Sequence, residues 1–130
     1  MQESATAHVG YWSGVHHIAL QIPRGAESKV REFYGGVLGM TEVQTAQGCQ
    51  FRCDDLEFDF EVDLSVTAPV PRQAHPGTLV PDIDALAARL AERGVAVEWD
   101  TKFPGYRRFF VHDPLGNRLE FLQPIPVSTY

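Results

Sequence analysis

A chain of 130 residues with 44% hydrophobic and 22% charged residues has the length and composition of one globular domain, which excludes a disordered segment. A net charge of -6 and an isoelectric point near 5.2 argue against a nucleic-acid partner, which needs a concentrated basic patch. No apolar run approaches the roughly 20 residues of a spanning helix. Met1 to Gly14 has neither the basic start nor the apolar core of a signal peptide, so the expected location is cytoplasmic, with no membrane partner.

Residues 1–14 mix small and polar residues with Tyr11 and Trp12 and read as an N-terminal arm ahead of a single domain over 15–130. The domain starts with VHHIALQI from Val15 to Ile22, a strand by its alternation. His16, Ile18, Leu20 and Ile22 share one face, and Val15, His17, Ala19 and Gln21 share the other. Pro23-Arg24-Gly25 breaks the strand. Val30, Phe33, Tyr34, Val37 and Leu38 then fall at helical spacing within Ser28 to Leu38, and Gly39 closes that helix. Thr41 to Thr45, Gln50 to Cys53 and Leu56 to Val62 are extended runs. In the last, LEFDFEV, the apolar residues oppose Glu57, Asp59 and Glu61. Cys49 and Cys53 are poorly placed to bridge one another, so reduced, partly buried thiols are expected.

Leu64 to Gln73, with Pro69 and Pro71, reads as a linker, and the pattern then starts again. His75 to Val80 is a predicted strand. Asp82 to Arg93 is the strongest predicted helix, with Ile83, Leu86, Ala87, Leu90 and Ala91 on one stripe, an aspartate at its start and Gly94 at its end. Val95 to Trp99 reads as a strand. Tyr106 to Gln123 reads as a β-hairpin around Asp113-Pro114-Leu115-Gly116-Asn117, with Leu119 and Phe121 on one face and Glu120 on the other.

The fold class predicted is therefore α+β: two tandem βαβββ modules, 15–63 and 74–124, forming a curved mixed sheet around a cavity. Each half has a histidine on its first strand and a carboxylate on its last. With the helices covering the apolar faces, the opposite face carries His17, Asp59, His75 and Glu120. Two imidazoles and two carboxylates converging there suit a divalent ion such as Zn, Ni, Fe, Mn or Co.

The chain from Val15 to Pro124 resembles the vicinal oxygen chelate superfamily of glyoxalases, bleomycin resistance proteins and extradiol dioxygenases. Its most specific piece is DPLGNRLEFL; HHIAL, FYGGVLGM and HPGTLVPDIDALAARL are also similar to the family pattern. The resemblance implies His17, Asp59, His75 and Glu120 as metal ligands, a small-molecule substrate and a homodimer. Aspartate stands at 59 where glyoxalase-like members usually carry Glu or Gln and dioxygenase-like members His, which leaves a direct or a supporting role open to it.

The chemistry implied is that of a glyoxalase-like lyase or isomerase acting on a substrate that chelates the metal through neighbouring oxygens, with Glu120 as the catalytic base. One alternative is an Fe(II) extradiol-type dioxygenase using His17, His75 and Glu120 as a facial triad. Another is a bleomycin-resistance-like binding protein whose groove is lined by Trp12, Phe51, Trp99, Tyr106 and Phe109. Tyr106, Arg107 and Arg108 form either a solvated strand entrance or a substrate anchor, with Tyr106, Arg108 and His112 the candidate substrate contacts. His16 falls on the helix-facing side and reads as structural, His8 lies in the arm, and Glu57 and Glu61 add negative field at the cavity. Ser13, Ser28 and Cys49 have no visible base partner, so no nucleophilic triad is expected.

Overall fold

The computed structural model describes residues 10–11, 15–45, 48–62 and 75–126. Trp12, Ser13, His8 and the whole predicted linker, Leu64 to Gln73, lie outside them. Two four-stranded mixed sheets carry the fold. In the first, β1 (Ile18–Ile22), β2 (Thr41–Thr45), β3 (Gly48–Cys53) and β4 (Leu56–Val62) stand in the order β1-β4-β3-β2. In the second, β5 (Gly77–Leu79), β6 (Glu98–Asp100), β7 (Tyr106–His112) and β8 (Arg118–Pro124) stand in the order β5-β8-β7-β6. Each half thus places its last strand in the middle, parallel to its first strand and antiparallel to its third. Among the described residues, no helix is long and apolar enough to cross a membrane.

The helix of the first half begins as α1 (Glu27–Val30) and widens into π-turns over Arg31–Val37. Leu38 donates its amide to the Phe33 carbonyl at 2.8 Å, five residues back. The wider turn lets consecutive Phe33 and Tyr34 both face the core, and Gly35 keeps close to the Phe51 ring, which a Cβ there would meet at 3.2 Å. The second helix, α2 (Ile83–Glu92), is capped by Asp82, whose side chain accepts from the Ala85 amide. Its buried stripe of Ile83 and Leu90 follows the predicted period.

Where α2 ends, the expectation of a strand from Val95 fails. Gly94, in the left-handed region at φ 72°, turns the chain so that its own amide and that of Val95 donate back to Ala91 and Leu90. Val95 and Val97 pack against the core without joining a ladder, and only Glu98–Asp100 pairs with β7. The first strands are also shorter than predicted, because the parallel ladders start at Ile18↔Phe58 and Gly77↔Glu120. His16, His17 and His75 therefore lie just ahead of their strands.

One core unites the halves, built on Tyr34, Phe51, Phe60, Ile83, Leu90, Phe109 and Phe121 among others. Arg89 fastens the first helix to the second: its guanidinium donates to the carbonyls of Val37 at 2.7 Å and Gly36 at 3.2 Å, and Arg93 adds a bond to Gly36 at 2.8 Å. These are terminal carbonyls with no helical partner of their own. Arg89→Ala is expected to lower stability by about 1–2 kcal/mol, read as a shifted urea midpoint with an unchanged slope. A midpoint equal to that of the parent would show that water replaces these bonds without loss.

Candidate functional site

The two halves place a histidine beside a carboxylate by the same register. Ala19 lies opposite Asp59 and Gly77 lies opposite Glu120 across parallel ladders. In each half the histidine stands two residues before that paired position, as His17 and His75. The side chain two residues back along the edge strand falls on the same face as its opposite neighbour's carboxylate.

In the second half the pair is closed. His75 Nε2 lies 2.8 Å from Glu120 Oε1, while Arg108 donates from Nη1 to Oε2 at 3.0 Å and reaches Asp100 with Nη2 at 3.4 Å. Glu120 is only 8% exposed. The Arg108 guanidinium is packed over the rings of Phe103 and Phe110 at 4.8 and 5.0 Å, so the apolar surroundings strengthen its grip on the carboxylate. The Lys102 amide, with Arg108, holds the Asp100 carboxyl below the usual aspartate range.

In the first half the pair is looser, with His17 Nε2 3.6 Å from Asp59 Oδ2. Burial, and then the neighbouring Glu57 carboxylate, raises the Asp59 carboxyl above its usual range. Glu57, which takes a hydrogen bond from Asp59 and faces Arg52 at 2.9 Å, is held below its own. Asp59 Oδ1 is buried with no hydrogen-bond partner among the described residues. A buried carboxylate oxygen without a donor is costly, and a cation would satisfy it.

The four predicted ligands form two pairs, and one chain does not gather them into a single set. Among the described residues the only three donors that stand within 4.8 Å of one another are those of His16, His17 and Glu57. Asp59 and Glu120 stand on different sheets, one in each half, and within one chain the two pairs are not brought within ligand reach of one another. His16 also departs from its structural reading. It is exposed, its Nδ1 is 2.8 Å from His17 Nδ1, and no partner strand fixes it against the helix side.

The Tyr106–Arg108 cluster divides by alternation. Arg107 turns to α2 and grips Asp84 with two bonds, of 2.7 and 3.0 Å, holding the Asp84 carboxyl below its usual range. Arg108 turns to Glu120. Beside it a cleft of about 410 Å³ is lined by Trp99, Asp100, Phe103, Tyr106, Arg108 and Ile125, with Phe103 stacked on Tyr106 at 5.1 Å. Phe103, in the turn ahead of β7, was not singled out by the sequence. Phe51 and Phe109, expected in a groove, are 0% exposed and belong to the core. His112 is exposed at the end of β7 opposite Arg118, and Glu61 is exposed on β4. Cys49 is buried and Cys53 exposed, both free.

A family model, Glyoxalase/Bleomycin resistance protein/Dioxygenase superfamily, matches residues 14–121 and so spans both histidine–carboxylate pairs. The chain belongs to this superfamily. A glyoxalase family protein of Bacillus anthracis is 32% identical, covering 91% of this chain and all of that one, with a TM-score of 0.82. TnmS3, an antibiotic binding protein from Streptomyces, is 24% identical over 88% of this chain and 100% of its own, with a TM-score of 0.66. The fosfomycin resistance protein FosX of Listeria monocytogenes is 17% identical over 88% of this chain and 96% of its own, with a TM-score of 0.69. The last two likenesses show the superfamily fold alone. No curated protein matches the chain.

Proposed function

We propose that this superfamily member is a metal-dependent, glyoxalase-like lyase or isomerase whose metal centre joins His17 and Asp59 of one copy to His75 and Glu120 of a second. The observation that carries the reading is the identical placement of a histidine–carboxylate pair in each half, on Ala19↔Asp59 and Gly77↔Glu120. The donor set fits a divalent ion. His75 Nε2 and Glu120 Oε1 at 2.8 Å suit two neighbouring coordination positions, and the unsatisfied Asp59 Oδ1 needs a positive partner. Two donors hold such an ion weakly, which favours a homodimer in which each pair finds its complement.

A bound ion supplies Lewis acidity towards neighbouring oxygens of a small substrate. The chain's own part is to place the acceptor of the proton. Arg108 pins Glu120 Oε2, so Oε1 is the oxygen that would receive a proton from the carbon next to a carbonyl, once it has given up its coordination position. The cleft at Phe103, Tyr106 and Arg108 orients the substrate by its aromatic floor, the Arg108 guanidinium being already held by Glu120 and Asp100.

The test is metal binding by equilibrium dialysis with zinc, nickel, cobalt, manganese and iron. Glu120→Gln, which keeps the size and loses the charge, is expected to weaken binding at this centre by at least about 100-fold, read in a His16→Ala background. No ion bound with any of these metals would leave the second reading, a small-molecule binding protein built on the same cleft. Oxygen uptake with a catechol by the iron-loaded protein would instead establish the dioxygenase alternative.

A further inference from the structure

Three donors, of which the paired set uses only His17, stand together where β1 and β4 begin. His16, His17 and Glu57 each offer a ligand atom, all within 4.8 Å of one another. We infer that His16, His17 and Glu57 form a separate site for a divalent cation of the zinc, cobalt, nickel or copper kind, complete within one copy of the chain, that competes with the paired set for His17.

The chemistry of the cluster supports this. Two neutral imidazoles cannot both present lone pairs at 2.8 Å without repulsion, and His16 Nδ1 and His17 Nδ1 stand at that distance, so one nitrogen has to donate to the other. A cation replaces that proton with only a small opening of the gap, since imidazole nitrogens on a tetrahedral zinc lie roughly 3.3 Å apart. Glu57 is prepared as the third donor. It is 8% exposed, and Arg52 holds its Oε1 from Nε at 3.0 Å and Nη2 at 2.9 Å; the ion would replace the proton that Asp59 donates to this carboxylate. Two nitrogens and one oxygen make a set for borderline metals and a poor one for calcium or magnesium. His16 and His17 are exposed, so the ion enters and leaves without rearrangement of the core.

Competition follows from the number of lone pairs. Neutral imidazole has one free nitrogen lone pair; an ion taken through His17 Nδ1 puts the ring proton on Nε2. That nitrogen, 3.6 Å from Asp59, then donates to the carboxylate and has nothing to offer a metal in the paired set. Excess metal would in this way displace His17 from the proposed centre, a built-in response to ion concentration.

The experiment is cobalt titration of the whole chain, read by the visible absorption of the bound ion and by equilibrium dialysis, with folding checked by circular dichroism. His75→Ala/Glu120→Gln removes half of the paired set; the variant is expected still to bind about one cobalt per chain at any protein concentration. Adding His16→Ala, an exposed position that folding does not need, is expected to weaken that binding at least about tenfold, and adding Glu57→Gln instead is expected to do the same. A double variant that binds no cobalt overturns the inference, and so does binding unchanged by His16→Ala. Failure of the shared centre shows differently, as binding in the His16→Ala background that a further Glu120→Gln leaves intact.

Discussion

Mixing two inactive chains is expected to restore metal binding. One chain carries His17→Ala and Asp59→Ala, the other His75→Ala and Glu120→Gln, both in a His16→Ala background so that the single-chain cluster is silent. Alone, each forms dimers in which every centre keeps only one pair, and affinity should fall by at least about 100-fold. In the mixed dimer the intact pair of each chain meets the other, and one of the two centres is whole. The reason lies in the geometry: His75 and Glu120 are 2.8 Å apart and His17 and Asp59 are 3.6 Å apart, while the two pairs sit on different sheets. An isologous interface presents each copy with the complement of its own surface, so a two-fold axis makes two equal centres. Exposed apolar side chains beside the pairs, Val15 before β1 and Leu79 on β5, the latter 71% exposed, give such an interface something to bury. The measurement is cobalt absorption of the co-refolded mixture, with its mass by light scattering. Binding that mixing does not restore would mean that one chain supplies every ligand, or that there is no such centre.

Alternation along the strands carried most of what was legible. LEFDFEV places Phe58 and Phe60 in the core and its acids on the other face, and the Asp113–Asn117 turn marks its hairpin without help from the rest of the chain. The repeat then singled out His17, Asp59, His75 and Glu120, and the equal register of the two ladders explains why their positions match. What stayed hidden depends on partners far away in sequence. The reading of His16 assumed that the strand ran back to Val15, but the parallel ladder with β4 starts only at Ile18↔Phe58. Val95 alternates correctly with Val97, yet its amide is already committed to Leu90. Phe51 and Phe109 have the composition of groove linings; the core takes them because burying a large ring is worth several times what a partial contact gives. The centre itself could not be assembled from one chain's pattern, because the complement of each pair lies in the other copy under the present proposal. The π-turns of the first helix carry no sequence signature beyond Gly35-Gly36 and follow from the need to bury both Phe33 and Tyr34.

Asp113→Ala is expected to destabilise the fold by about 3–5 kcal/mol, a large part of the total stability of a domain this size. Asp113, buried at the hairpin turn, accepts through Oδ1 from the Leu115 and Asn117 amides at 2.9 and 2.8 Å. Its Oδ2 accepts from the Asn117 side chain at 2.9 Å and from the Tyr34 hydroxyl at 2.8 Å. Alanine leaves all four donors unpaired in places that water reaches poorly, and the cost is mainly theirs rather than that of the lost bonds. Tyr34→Phe removes one donor and leaves Asp113 three, so about 1–2 kcal/mol is expected, and the two changes together should cost less than their sum. Burial, reinforced by the Asp113 charge and hydrogen bond, pushes the Tyr34 hydroxyl well above its ordinary 10.0. Its raised folded-state value sets the sign: the contribution is full below about pH 10 and is lost as pH rises further, because the unfolded chain gives up the proton first. Denaturation midpoints at about pH 8 and about pH 10.5 should therefore separate the wild type from Tyr34→Phe, whose stability loses this part of the decline. A cost below about 1 kcal/mol for Asp113→Ala would mean that the turn relaxes to let water in, and that Tyr34 joins the two halves by its ring alone.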